Sequence, residues 1–224
     1  MAVETDFDYL RHLIRKNEVV GPVLEIGGRS WQGRGGNAAS VCRDEGIAWE
    51  GSDIVDGPGV GFLMDILDSS AVEAVGRLWA SVLVFNLLEH VYDPITALTN
   101  AMKLVAPGGV AAVAGPAVWQ LHDYPADYWR PMPDFFLEFA SRNGCQVLNE
   151  DFMWLVEGKM LRVDLLSVGS QKQLPSYSRP GAFHVWSRPM TYWSRALHQG
   201  LRTFGRDTPY PTSGLGVCLK KPLG

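Results

Sequence analysis

Val23-Leu24-Glu25-Ile26-Gly27-Gly28 is a four-residue run suited to a buried strand, stopped by a glycine pair. Outward from it, the first two-thirds of the chain alternates short apolar runs with helix-length stretches, the pattern of a parallel sheet covered by helices. Upstream, residues 5–16 place Phe7, Leu10, Leu13 and Ile14 at helical spacing. Downstream, a Gly-rich loop leads to a predicted helix from Asn37, the expected N-cap, to Glu45. Strands are predicted at Trp49–Ile54 and Phe62–Ile66, a helix near residues 70–77, and the most apolar strand at Ser81–Phe85. Asp93-Pro94 opens a helix with an N-cap acid and proline at its first position. That helix runs to Val105, is stopped by Pro107-Gly108-Gly109, and is followed by a strand at Val110–Ala114. A helix over Pro133–Asn143, ended by Gly144, precedes a strand at Cys145–Asn149. The last third holds a predicted helix over 189–204 and a closing strand at Gly216–Lys220.

With 224 residues and 46% hydrophobic content, the chain can build one well-buried core. The apolar content argues against disorder, and no uninterrupted apolar run reaches the ~20 residues of a membrane span. The acidic start, Met1 to Asp8, lacks the basic and apolar parts of a secretory signal, so a cytoplasmic location is expected. Cys42, Cys145 and Cys218 are widely spaced, which fits reduced thiols rather than a zinc site or a disulfide framework. The net charge of −4 conceals a split: residues 1–158 carry −12 and residues 159–224 carry +8. Arg188, Arg195 and Arg202 recur every seven residues in the basic part, as a solvated helix face or as a lid for an anionic acceptor. An acidic whole and the lack of an RNA-binding motif argue against a nucleic-acid partner.

In an open α/β sheet the chemistry lies at the carboxyl ends of the strands. Here those ends carry Glu25-Ile26-Gly27-Gly28, then Asp53, then Asp65, then Asn86-Leu87-Leu88-Glu89-His90. Glycines admit a ligand close to the backbone, and carboxylates accept hydrogen bonds from hydroxyls, an array suited to a ribose and a base. One such carboxylate alone is more often a cap or an ion-pair partner; three at successive strand ends are not. Gly33-Arg34-Gly35-Gly36-Asn37-Ala38 matches a dinucleotide-type pattern but begins well after the first strand, and neither a phosphate loop nor a nucleophile elbow is present.

The segments at 23–28, Gly-Ser-Asp-Ile (51–54), Met-Asp-Ile (64–66), Leu-Glu-His-Val-Tyr-Asp-Pro (88–94) and Leu-Val-Ala-Pro-Gly-Gly (104–109) together resemble the class I S-adenosylmethionine-dependent methyltransferases. The resemblance covers roughly residues 20–150, with a tail at Gly216–Lys220. It implies a Rossmann-like α/β fold: a seven-stranded, mostly parallel sheet with helices on both faces. It also implies one methyltransferase domain over 1–224, with a cofactor-binding core at 1–160, a variable substrate or lid region at 161–215 and a closing strand at 216–221. The implied cofactor is S-adenosylmethionine, leaving as S-adenosylhomocysteine. Glu25, Gly27 and Gly28 would cradle its methionine part, Asp53 and Ile54 its ribose, Asp65 and Ile66 its adenine, and Asn86 and Leu87 its sulfonium. The family's first motif has further glycines where this chain has Arg29 and Trp31.

His122-Asp123-Tyr124-Pro125-Ala126-Asp127-Tyr128-Trp129-Arg130 resembles a stretch of small-molecule methyltransferases in this group. His122 is the first candidate for general base, since its ordinary pKa lies near neutrality, and His90 the second. Tyr124, Tyr128 and Trp129 would shape the acceptor pocket, and Arg130 would fix an anionic group. The alternative for this stretch is a rigid aromatic loop with Asp127 and Arg130 paired. Ubiquinone-pathway O-methyltransferases bind a metal through Glu-x-x-Glu-His; Asn86 replaces the first glutamate here, so no metal is expected. The resulting expectation is methyl transfer to a small molecule, at oxygen first. The rivals are a non-catalytic binding module and, further off, an NAD-dependent oxidoreductase.

Overall fold

The computed structural model describes residues 4–30, 38–119, 121, 126–156, 159–163 and 213–223. The chain divides into two units, Met1–Arg162 with Thr212–Gly224, and Val163–Pro211. The sheet and its helices belong to the first. The expected helix at 189–204, with its arginines, and the loop at 171–183 lie outside the described residues.

Strand β1 (Val23–Ile26) is the hub. It pairs in parallel with β2 (Trp49–Asp53) and β4 (Trp79–Phe85), which sets Glu25 opposite Gly51 and Leu83. Beyond β2 lies β3 (Phe62–Leu63), and beyond β4 lies β5 (Val105–Val118), both parallel. β9 (Ser213–Lys220) runs antiparallel along β5, and β6 (Gln146–Val147) and β7 (Met153–Val156) pair antiparallel with β9. β8 (Lys159–Arg162) closes the edge as a hairpin partner of β7.

Nine strands among the described residues replace the expected seven. One reason is that the expected strand at Cys145–Asn149 shortens to β6, and a 3-10 turn at Asn149–Asp151 leads on to β7, a strand that was not expected, farther along β9. The turn buries Asp151, whose Oδ1 accepts from Lys16 Nζ at 2.6 Å and faces His12 Nε2 at 3.0 Å. The other reason is the added β8.

Helix α1 (Glu4–Arg15) directs Phe7, Leu10, Leu13 and Ile14 into the core as its spacing predicts. Its Tyr9 is fully buried and donates its hydroxyl to the Asp151 carbonyl at 2.6 Å. α1 and α2 (Ala39–Asp44) cover the face that carries Val23, Leu83, Phe85 and Ala112. Alternate residues Leu24, Val82, Val84 and Val113 are equally buried on the opposite face, where α4 (Pro94–Leu104) packs on β4 and β5. Helices on both faces explain why these strands are apolar throughout rather than alternating. Asp93 caps α4 through Thr96 N, and Asp68 caps α3 (Ser69–Ala74) through Ser70 N and Ala71 N. α5 (Pro133–Asn143) ends at Gly144 as expected and packs on β6 and β9.

Several boundaries differ from expectation: β5 starts at Val105, directly after α4, and runs through Pro107-Gly108-Gly109 to Val118 rather than spanning Val110–Ala114. α2 starts at Ala39 behind Ala38, which makes no side-chain cap, and Asn37 lies outside the described residues. β3 ends at Leu63 rather than Ile66, because Asp65 turns the chain by accepting from Leu67 N at 2.9 Å. Among the described residues no helix is long and apolar enough to cross a membrane.

Candidate active site at the carboxyl edge of the parallel strands

The parallel order β3-β2-β1-β4-β5 brings the expected strand ends to one edge. Gly27 adopts φ 76, a left-handed conformation that a side chain resists. Its N–H and that of Gly28 both donate to Ser52 O, at 2.8 and 3.0 Å, so the turn after β1 is laced to the end of β2. At Gly51 a Cβ would come within 2.2 Å of the Gly59 carbonyl, so only glycine lets the loop after β2 cross there. Arg29, where the family has a glycine, lays its aliphatic stem over Gly57, and Ser30 N donates to Pro58 O at 2.7 Å. The loop thus gains packing on its neighbour where it lacks backbone freedom. Trp31 lies outside the described residues.

Glu25 is buried, and its Oε2 accepts from Ala38 N at 2.9 Å and Trp49 Nε1 at 3.0 Å. Burial pushes its carboxyl up to about 7, with those two donors pulling the other way. It ties the start of α2 and the base of β2 to β1. Asp53 is half-buried at the end of β2, with Oδ1 accepting from Val55 N at 3.0 Å. Asp65 stands exposed in its turn, and Ile66 is buried behind it with its carbonyl bonded by Asn100 Nδ2 at 2.8 Å. Each aspartate commits Oδ1 to its own turn. A diol or an amine would meet the second oxygen, and exposed Ile54, Val55 and Leu63 offer apolar surface nearby in the chain. Close backbone, carboxylates and apolar rim suit a nucleoside carrying a charged tail.

At the end of β4, Asn86 takes φ 48 and donates its Nδ2 to Asp6 Oδ2 at 2.8 Å. Asp6 is buried and was not among the sequence candidates. A signal existed: it stands four and seven residues before Leu10 and Leu13, on the apolar face of α1, where an acid needs a partner. Leu87 has its Cδ1 against Gly27, joining the first and fourth strand ends.

Leu88–His90 forms a 3-10 turn that grips the expected acceptor wall. Tyr128 N donates to Glu89 O at 2.7 Å, and His90 Nδ1 lies 2.6 Å from Ala126 O. A donor at Nδ1 makes Nε2 the unprotonated nitrogen of a neutral His90 ring. Trp129 Nε1 donates to Tyr92 O at 3.1 Å, and the Tyr92 and Tyr128 rings meet edge to face at 5.7 Å. Arg130 makes a two-pronged pair with buried Asp127: one nitrogen on Oδ1, the other on Oδ2 at 2.6 Å. Its guanidinium is therefore already matched by a carboxylate, as the rigid-loop alternative expects. His122 and Tyr124 lie outside the described residues.

No family model and no curated protein matches the chain. Solved structures do. A methyltransferase from Archaeoglobus fulgidus, described as dependent on S-adenosylmethionine, superposes over 97% of this chain and 94% of its own, with TM-score 0.55 and 16% identity. The chain has the class I methyltransferase fold. The cyclase SpnF matches over 97% of this chain and 82% of its own, with TM-score 0.51 and 15% identity. The CurJ carbon methyltransferase matches over 96% of this chain and 54% of its own, with TM-score 0.50 and 14% identity. The methyltransferase fold thus carries both carbon methylation and cyclisation among these neighbours, so the activity of this chain is argued from its own site.

Proposed function

We propose that this protein transfers a methyl group from S-adenosylmethionine to a small-molecule acceptor, with oxygen as the first-choice acceptor atom. The reading rests above all on one observation: Gly27-Gly28, Asp53 and Asn86-Leu87 stand at the carboxyl ends of three adjacent parallel strands, the first two joined by the bonds to Ser52 O and the third by Leu87 against Gly27. In it, Gly27, Gly28 and the braced Glu25 shape the loop for the cofactor's amino-acid tail. Asp53 with Ile54 holds the ribose, Asp65 and Ile66 the base, and Asn86 with Leu87 flanks the sulfonium. When bound, S-adenosylmethionine supplies an electrophilic methyl group, so the protein's tasks are to align the acceptor, exclude water and receive a proton. His122 is the proposed proton acceptor, with His90 second; Tyr124, Tyr128, Trp129 and Arg130 form the acceptor wall.

A methyl-transfer assay with labelled S-adenosylmethionine over a panel of hydroxyl and amine acceptors tests the activity. In the reading, His122→Ala lowers turnover at least about a hundredfold while leaving cofactor affinity within about twofold. Equal losses in both, or none, would remove His122 from that role.

A further inference from the structure

Asp6 is an acid on the buried face of α1. Its companions there, Phe7, Leu10, Leu13 and Ile14, enter the core, and Asp6 itself is only 3% exposed. Stability alone does not call for an acid at such a place, since replacing a buried, paired charge by a well-packed apolar side chain is often neutral or stabilising. Nor is Asp6 needed to dock the helix. Tyr9 donates to Asp151 O at 2.6 Å, and His12 and Lys16 meet the Asp151 carboxylate, so α1 is fastened to the antiparallel edge by other side chains. What the Asp6 carboxylate reaches is the carboxyl edge of the parallel strands. Its Oδ2 accepts from Asn86 Nδ2 at 2.8 Å, and Asn86 is the residue on which the chain leaves β4. There the backbone takes φ 48 while its N–H donates to Ala114 O on β5 at 2.7 Å. Leu87 follows directly and sets its Cδ1 against Gly27. A run of contacts thus leads from the first turn of α1, through Asn86 and Leu87, to the loop after β1.

We infer that Asp6 is a positioning residue for the cofactor site: by holding the Asn86 side-chain amide it keeps Asn86 in its left-handed turn and Leu87 against Gly27. The two residues that flank the sulfonium are then preset by α1. The identity of the ligand rests on the proposed function; the contacts that link Asp6 to the edge do not. Without the bond, the turn after β4 loses its restraint, and ligand binding bears the cost of ordering it.

The test is isothermal titration of the full chain with S-adenosylhomocysteine, comparing four variants with the wild type. Asp6→Ala is expected to raise Kd at least about tenfold. Asp6→Leu, which suits the apolar face and keeps the fold should the alanine variant not, is expected to do the same. Asp6→Asn retains an oxygen that accepts from Asn86 Nδ2 and is expected to stay within about threefold of the wild type. Tyr9→Phe weakens the same helix away from the edge and is expected to stay within about twofold. Wild-type affinity in Asp6→Leu or Asp6→Ala overturns the inference. So does a loss in Tyr9→Phe equal to theirs, which assigns the effect to the stability of α1. A loss in Asp6→Asn as large as in Asp6→Leu overturns it too, since the hydrogen bond is then not what matters. A wild type that does not bind, with or without candidate acceptors, overturns the proposed function and this inference together; a wild type that binds no better than the Asp6 variants overturns the inference alone.

Discussion

The Asn86 side-chain amide donates to Asp6 at 2.8 Å, fastening the first turn of α1 to the end of β4 across 80 residues of sequence. The bond holds Asn86 where its backbone is left-handed, at φ 48. Asparagine tolerates that conformation better than other residues with a Cβ. Asn86→Gly relieves the backbone and loses only the amide, at a cost of about 1–2 kcal/mol. Asn86→Ala loses the amide and keeps the strain, for about 1 kcal/mol more. Urea unfolding of the two variants checks this, and equal costs would show that the backbone there is unstrained.

Burial raises the carboxyls of Glu25 and Glu89 from 4.5 to about 7. Between those values the folded chain binds more protons than the unfolded one, so stability falls as pH rises through this window. The loss is complete above about 7 and amounts to roughly 3 kcal/mol for each group acting alone. Glu25→Gln keeps an oxygen for Ala38 N and Trp49 Nε1 and removes the ionisation. Its melting temperature is expected to fall less steeply than that of the wild type as the pH is raised through this window. Parallel curves would contradict the assignment.

The parallel half of this fold is legible because each signal is local. The strand at 23–26, the Asp93-Pro94 cap and the Gly144 stop are decided by neighbours in sequence, and they stand where predicted. The antiparallel edge is not legible in that way. β6 and β7 are separated by a turn whose reason, the burial of Asp151 between Lys16 and His12, comes from about 135 residues upstream. β3 is short because Asp65 uses its side chain to turn the chain, a choice that apolar Met64 and Ile66 on either side conceal. In the site, Asp53 and Asn86 could be read from their places after strands. Asp6 and the buried state of Glu89 depend on tertiary packing that periodicity reports only indirectly.

Tyr9 is fully buried, and burial keeps its hydroxyl protonated as a donor to the Asp151 carbonyl. Tyr9→Phe leaves that carbonyl without its bond and is expected to cost about 1–3 kcal/mol. Denaturant unfolding measures it. An unchanged midpoint would mean that another donor reaches Asp151 O.

Asp93 caps α4 through both Thr96 N at 2.9 Å and Thr96 Oγ1 at 2.7 Å, and those bonds hold its carboxyl below the usual range. Asp93→Ala is expected to destabilise the fold by about 1 kcal/mol near neutral pH, and by less in acid, where the wild-type carboxyl also loses its charge. Thermal melts at two pH values check the sign. A constant difference would show that the cap does not depend on charge.

The central claim is that the carboxyl edge of β1, β2 and β4 binds S-adenosylmethionine. Isothermal titration of the full chain with S-adenosylhomocysteine, beside Asp53→Ala, tests it most directly. Micromolar binding by the wild type is expected, weakened at least about tenfold in the variant if the Asp53 carboxylate holds the ribose as proposed. No heat with the wild type, in the presence and absence of candidate acceptors, would contradict it.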